Sequence, residues 1–218
     1  MTLGVDSRRR VFAAMAVFAG VELLVALINL TPLIDRYAVG RVLDMNGEAN
    51  AVVWLSSTLL LGIGFLAGLA AHLDRGADRV RWAIIACFFA LLSLDETASL
   101  HELAGELASR VAEVEWLPSL YLWVIVVAPF AAVFAVWMIR WIWGELGPGS
   151  TEARMAFVAV ALWLAVPLLE AVDPSLGGPR ALVVVEESLE ITGEILMLGA
   201  LSLHLIARGL SIEATTRR

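Results

Sequence analysis

Residues 11–34, VFAAMAVFAGVELLVALINLTPLI, hold one ionisable side chain, Glu22, among apolar and small residues interrupted only by Asn29 and Thr31. A helix of that length rises about 36 Å, enough to cross the roughly 30 Å hydrocarbon core of a bilayer. Arg8, Arg9 and Arg10 precede the run as they would in a signal peptide. The run outlasts the roughly 7–15 apolar residues of such a segment and has no clear small-x-small cleavage site, so it reads as a retained first crossing helix.

Working outward, five more runs of similar character follow, over 48–73, 82–110, 118–143, 152–172 and 181–208. The 218-residue chain is 60% hydrophobic, above the roughly half expected of a soluble domain, and its mean hydropathy is +0.84. The expected fold is all-α: one polytopic transmembrane domain of about six helices over residues 1–218. Gly64-xxx-Gly68 offers a close-packing face in the second span, and Pro129 a kink in the fourth.

Charge placement sets the orientation. All fifteen basic residues are Arg. Six spans put Arg8, Arg9, Arg10, Arg75, Arg79, Arg81, Arg140, Arg154, Arg208, Arg217 and Arg218 on the side of both termini. Arg36, Arg41, Arg110 and Arg180 fall on the other side. The positive-inside rule then predicts an inner-membrane protein with both termini cytoplasmic. Trp82, Trp137, Trp141 and Trp143 fall near the inner interface and Trp54 and Trp116 near the outer one, as an aromatic belt.

Composition also excludes. Without Lys there is no Schiff base of the retinal-protein kind, and a single Cys87 rules out internal disulfides and CxxC redox chemistry. The absence of Gln disfavours a sugar site, and a net charge of −7 gives no electrostatic footprint for nucleic acid. The expected surroundings are the lipid bilayer, a cation or lipid-soluble small molecule, and a second copy in a homo-oligomer.

The informative residues are acids inside spans, because a charge at bilayer depth costs at least about 2.5–3.5 kcal/mol. The third span reads SLDETASLHELAGE over 93–106, and on an unbroken helix Asp95, Ser99, Glu102 and Glu106 share one face. Glu96 lies beside that stripe and His101 points away. The sixth span reads EESLEITGE over 186–194, with Glu186, Glu187, Glu190 and Glu194 on one face. Glu22 of the first span and Glu170 of the fifth fall in the same outer half of the bilayer. Glu106, Glu113, Glu115 and Glu186 lie near enough to the outer surface to be solvated, and Glu170 and Asp173 have the alternative of capping a helix end.

So many carboxylates need compensation. The expected binding set is Glu22, Asp95, Glu96, His101, Glu102, Glu190 and Glu194, with Ser99, Glu106, Glu170, Glu186 and Glu187 around it or forming its access route. Oxygen-rich ligands favour Ca²⁺, Mn²⁺ or Mg²⁺, with Fe or Zn if His101 joins; protons are the other candidate. His72 and His204 are open as haem ligands. Spans three and six each close a three-helix block and each open an acidic run with an acidic pair, which suggests a 3+3 inverted repeat. That arrangement is similar to small six-helix cation exchangers in architecture, without a shared motif.

Three functions fit. The first is binding and translocation of a hard divalent cation or protons. The second is a membrane-embedded enzyme using the same acids, with metal or by acid catalysis, on a lipid-soluble substrate. The third is an accessory or sensor subunit of a membrane complex.

Overall fold

The computed structural model describes residues 2–47, 49–100, 103–104, 107, 119–176 and 179–208, without the side chains of 2–4, 119–129, 131 and 170–176. Seven helices make up the described fold, and no strand occurs among the described residues. They are α1 (Thr2–Asn29), α2 (Tyr37–Leu43), α3 (Ala51–Leu73), α4 (Asp78–Ala98), α5 (Ser119–Leu146), α6 (Thr151–Leu176) and α7 (Arg180–Ala207), with a 3₁₀ turn at Pro32–Asp35. Among the described residues, four stretches are long and apolar enough to cross a membrane: Val5–Asn29, Ala51–Leu73, Thr151–Leu169 and Arg180–Ala207.

The element ends differ from expectation for local reasons. The first helix starts at Thr2, so the arginine triplet is helical, and it ends at Asn29 because Pro32 opens a separate 3₁₀ turn capped by Thr31. Between the first two expected spans lies α2, which is too short to reveal itself by periodicity. Asn50 caps α3 by accepting from the Val52 and Val53 amides, which fixes its start at Ala51. The helix expected to end at Val172 continues to Leu176 through Pro174.

The largest difference is in the third span. The helix expected over 82–110 stops at Ala98, where Ser99 adopts the left-handed conformation at φ 46° and its amide closes on the Asp95 carbonyl at 2.7 Å. A non-glycine residue is disfavoured there, so neither Pro nor Gly announced the break. The continuous stripe Asp95–Ser99–Glu102–Glu106 requires an unbroken helix, and α4 is broken inside it. His101, Glu102 and Glu106 themselves lie outside the described residues.

Helix α7 is the axis of the fold: 61% of its candidate span is buried inside the chain, against 11% for α1. It packs on α1, α3 and α6, while α3 also packs on α4. Met197, Ala200, Leu201 and Leu203 of α7 are fully buried with Ile63 and Ala67 of α3 and Ile85 and Phe89 of α4. Two glycines permit this. A Cβ on Gly64 would come 3.1 Å from the Ala86 carbonyl oxygen, so Gly64 lets α3 reach the α4 backbone. A Cβ on Gly193 would come 2.6 Å from Trp163 Nε1, so Gly193 admits that indole from α6. Trp82 is not part of an aromatic belt: it is fully buried, edge-on to Trp141 at 4.7 Å.

Candidate functional site

Acidic residues from two helices, α7 and α4, converge beside α3. Glu194 of α7 is 2% exposed. Its Oε1 accepts a hydrogen bond from Ser56 Oγ of α3 at 2.7 Å, and its Oε2 has no hydrogen-bond partner among the described residues. Glu190 and Glu187 of α7 and Glu96 of α4 act on it electrostatically. A buried polar atom left unsatisfied is uncommon and calls for a functional or structural reason.

Helix α7 presents a second polar face toward α1. There the Ser188 and Thr192 hydroxyls hydrogen-bond the Glu22 carboxylate, which is 9% exposed. Ser188 and Thr192 are four residues apart, one turn, so both reach the same group. Glu22, Ala26 and Asn29 form the buried stripe of α1. Asn29 does not join the acids: its amide donates to the Val25 and Leu43 carbonyls and its Oδ1 accepts from the Met45 amide. It pins the α2–α3 connection instead.

The two acidic helices meet through α3. Ser56 reaches α7, while the next residue, Ser57, faces α4. Ser57 Oγ lies 2.9 Å from the Ser93 carbonyl, 3.0 Å from Ser93 Oγ and 2.9 Å from Thr97 Oγ1. Ser93 Oγ in turn donates to the Ser57 carbonyl at 2.8 Å. Successive helical residues diverge by about 100°, so two adjacent serines serve two neighbouring helices. Trp163 Nε1 of α6 donates to the Glu190 carbonyl at 3.2 Å and closes the site from that side.

Of the expected site residues, the structure brings Glu96, Glu187 and Glu190 near Glu194, while Glu22 stands apart against Ser188 and Thr192. Asp95, Ser99 and Glu186 are half-buried. Glu170 lies on α6 with its side chain outside the described residues. Among the described residues, no group of three or more His, Cys, Asp or Glu is placed to hold a metal ion. The nearest partners of Glu194 and Glu22 are hydroxyls, which take no part in such a set. Ser56, Ser57, Thr97, Ser188 and Thr192 carry no sequence motif; adjacent hydroxyls in a 23-residue apolar helix are the available signal for the first two.

A second buried polar cluster lies at the other end of α7. His204, 6% exposed, has its Nε2 3.8 Å from Glu145 Oε1 of α5 and its ring 5.7 Å from that of Trp82. Arg208 pairs with Glu145 and lies 3.5 Å from Asp74, and Arg8 pairs with the buried Glu152 at 3.0 Å. Trp141 Nε1 and Arg81 both donate to Asp78 Oδ1, at 3.2 and 2.7 Å. The two histidines left open as haem ligands differ in environment: His72 is exposed, whereas His204 is packed under Trp82.

The chain belongs to a family described as a domain of unknown function, DUF8692, whose profile matches residues 10–205. No curated protein and no solved structure matches it.

Proposed function

We propose, for this member of a family whose description assigns no activity, a multi-pass inner-membrane protein that binds and exchanges protons at Glu194 and so moves charge across the bilayer. Six crossing helices, α1, α3, α4, α5, α6 and α7, would carry it, with both termini cytoplasmic. Contacts at one end support that alternation. They join the start of α1 to the start of α6 (Arg8–Glu152), the end of α3 to the end of α7 (Asp74–Arg208), and the start of α4 to the end of α5 (Asp78–Trp141).

The observation that carries the proposal is the state of Glu194: fully buried, held at one oxygen by a single hydroxyl, open at the other, and beside three more carboxylates. An uncompensated anion there costs several kcal/mol. A proton removes that cost and requires no further ligand, whereas a hard divalent cation wants six or more oxygens. The hydroxyls of Ser56, Ser188 and Thr192 can accept or donate as the carboxyls change state.

From Glu194 to His204 is ten residues, about 15 Å along the helix, and Met197, Ala200 and Leu201 fill that interval without exposure. A proton cannot cross such a layer without water or a helix movement. The site is therefore an occluded one, filled from the outer side, and exchange with the inner side needs α7 or α3 to shift.

The test is proton flux in vesicles containing the purified chain and a trapped pH dye, driven by an imposed membrane potential. The wild type is expected to conduct or exchange, and Glu194→Gln to lose that activity while keeping its elution profile in mild detergent. Unchanged flux in Glu194→Gln would sink the proposal. Stoichiometric metal in purified wild-type protein, lost in Glu194→Gln, would replace the proton by a metal cation.

A further inference from the structure

Helices α4 and α5 do not close on each other. They are bridged by ring contacts, Phe88 with Phe134 at 4.2 Å and Trp82 with Trp141 at 4.7 Å. Between them runs an open groove of 520 Å³ whose lining includes Arg79, Ile84, Cys87, Phe88, Leu91 and Phe134. Its size is that of small-molecule sites, roughly 300–1,000 Å³. Arg79 is the only charged residue among its described lining residues.

Arg79 sits in the first turn of α4 and is exposed. Its neighbour Arg81 is engaged by Asp78, but no carboxylate among the described residues pairs with the Arg79 guanidinium. Arg75, also exposed, lies just before the helix. The groove thus has a cationic end at the membrane surface and an apolar body. From Arg79 to Leu91 is twelve residues, about 18 Å, close to the ~15 Å depth of one leaflet's hydrocarbon. A guanidinium is suited to bidentate contact with phosphate.

We infer that this groove binds an anionic phospholipid of the cytoplasmic leaflet, with its phosphate at Arg79 and an acyl chain along Ile84, Cys87, Phe88 and Leu91. This rests on the membrane-spanning reading above, though not on the chemistry of Glu194. A crossing helix of another protein would match the apolar body equally well but would leave Arg79 without a counter-charge at the interface. The cationic end selects the anionic lipid.

The chain supplies its own reporter, since Cys87 is its sole cysteine and is exposed in the groove. The experiment follows alkylation of Cys87 by N-ethylmaleimide in detergent, with phosphatidylglycerol or phosphatidylcholine added at equal micellar fraction. Phosphatidylglycerol is expected to slow the reaction about five-fold relative to phosphatidylcholine, the preference one basic residue gives at an anionic surface. Arg79→Gln is expected to abolish that difference and Arg79→Lys to keep part of it. Equal slowing by the two lipids, or an undiminished difference in Arg79→Gln, overturns the inference. So does a Cys87–Cys87 cross-link that phosphatidylglycerol does not suppress, which would assign the groove to a second copy. A chain that fails to enter vesicles refutes the membrane reading itself; one that enters but shows no lipid discrimination refutes only the lipid site.

Discussion

The two ends of α7 bury polar groups on opposite plans. Around His204, carboxylates meet cations: Glu145 and Asp74 face Arg208, and Glu152 faces Arg8. Toward the other end, two buried carboxylates on different faces of α7 are met by hydroxyls: Ser56 for Glu194, and Ser188 with Thr192 for Glu22. At the first end the charges pair within the chain, although Trp82 Nε1 and His204 Nε2 there, like Glu194 Oε2, have no hydrogen-bond partner among the described residues. At the second, neither Glu194 nor Glu22 has a cationic partner among the described residues. A buried ion pair is weak evidence for function, because structure alone accounts for it; a buried acid without a counter-charge has no such account.

If that contrast is right, substitutions in the hydroxyl-lined cluster change flux, and those at the paired end change stability. The largest effect is expected at Glu194→Gln, which should lower proton flux in vesicles by about a hundredfold, the scale of a positioned proton-transferring group, with thermal stability in detergent unchanged or raised. A comparable loss of flux in Arg208→Ala would erase the distinction between the ends. Next, Gly193→Val should drive α6 from α7 by displacing Trp163, at a cost of ~1–3 kcal/mol as overpacking does, read as a lower unfolding midpoint. Arg208→Ala should cost ~1 kcal/mol, less than a fully buried pair because its side chain is 40% exposed, with flux retained. The smallest effect is Ser57→Ala, which removes one hydroxyl from the α3–α4 seam and should cost about 0.5 kcal/mol, the low end for a hydrogen bond. Ser56→Ala is its control: flux should fall there and not at Ser57.

Much of this was legible in the chain and some was not, for definable reasons. The long apolar helices followed from hydropathy and length, and Glu22, Glu96, Glu190 and Glu194 stood out because an acid in such a run is costly. The break of α4 at Ser99 was hidden because left-handed geometry usually announces itself with glycine, and serine carries no such mark. Ser56 and Ser57 were overlooked because a hydroxyl in a crossing helix can satisfy itself on its own backbone; only packing shows that these two reach other helices. The cluster at His204 escaped because its members lie near helix ends, where charge is ordinary, and their pairing across α1, α3, α5, α6 and α7 is tertiary.

Ser56 and the Glu194 it holds stand 138 residues apart in the chain. The hydroxyl is synthesised first, and the helix bearing four of the acids comes last of the seven. Of the four stretches apolar enough to cross a bilayer, that last helix is the least apolar. In the proposed bilayer-spanning arrangement, its insertion would depend on α1 and α3 already being in place with Glu22 and Ser56 turned toward it, so that the later helix reads whether the earlier ones are correctly set.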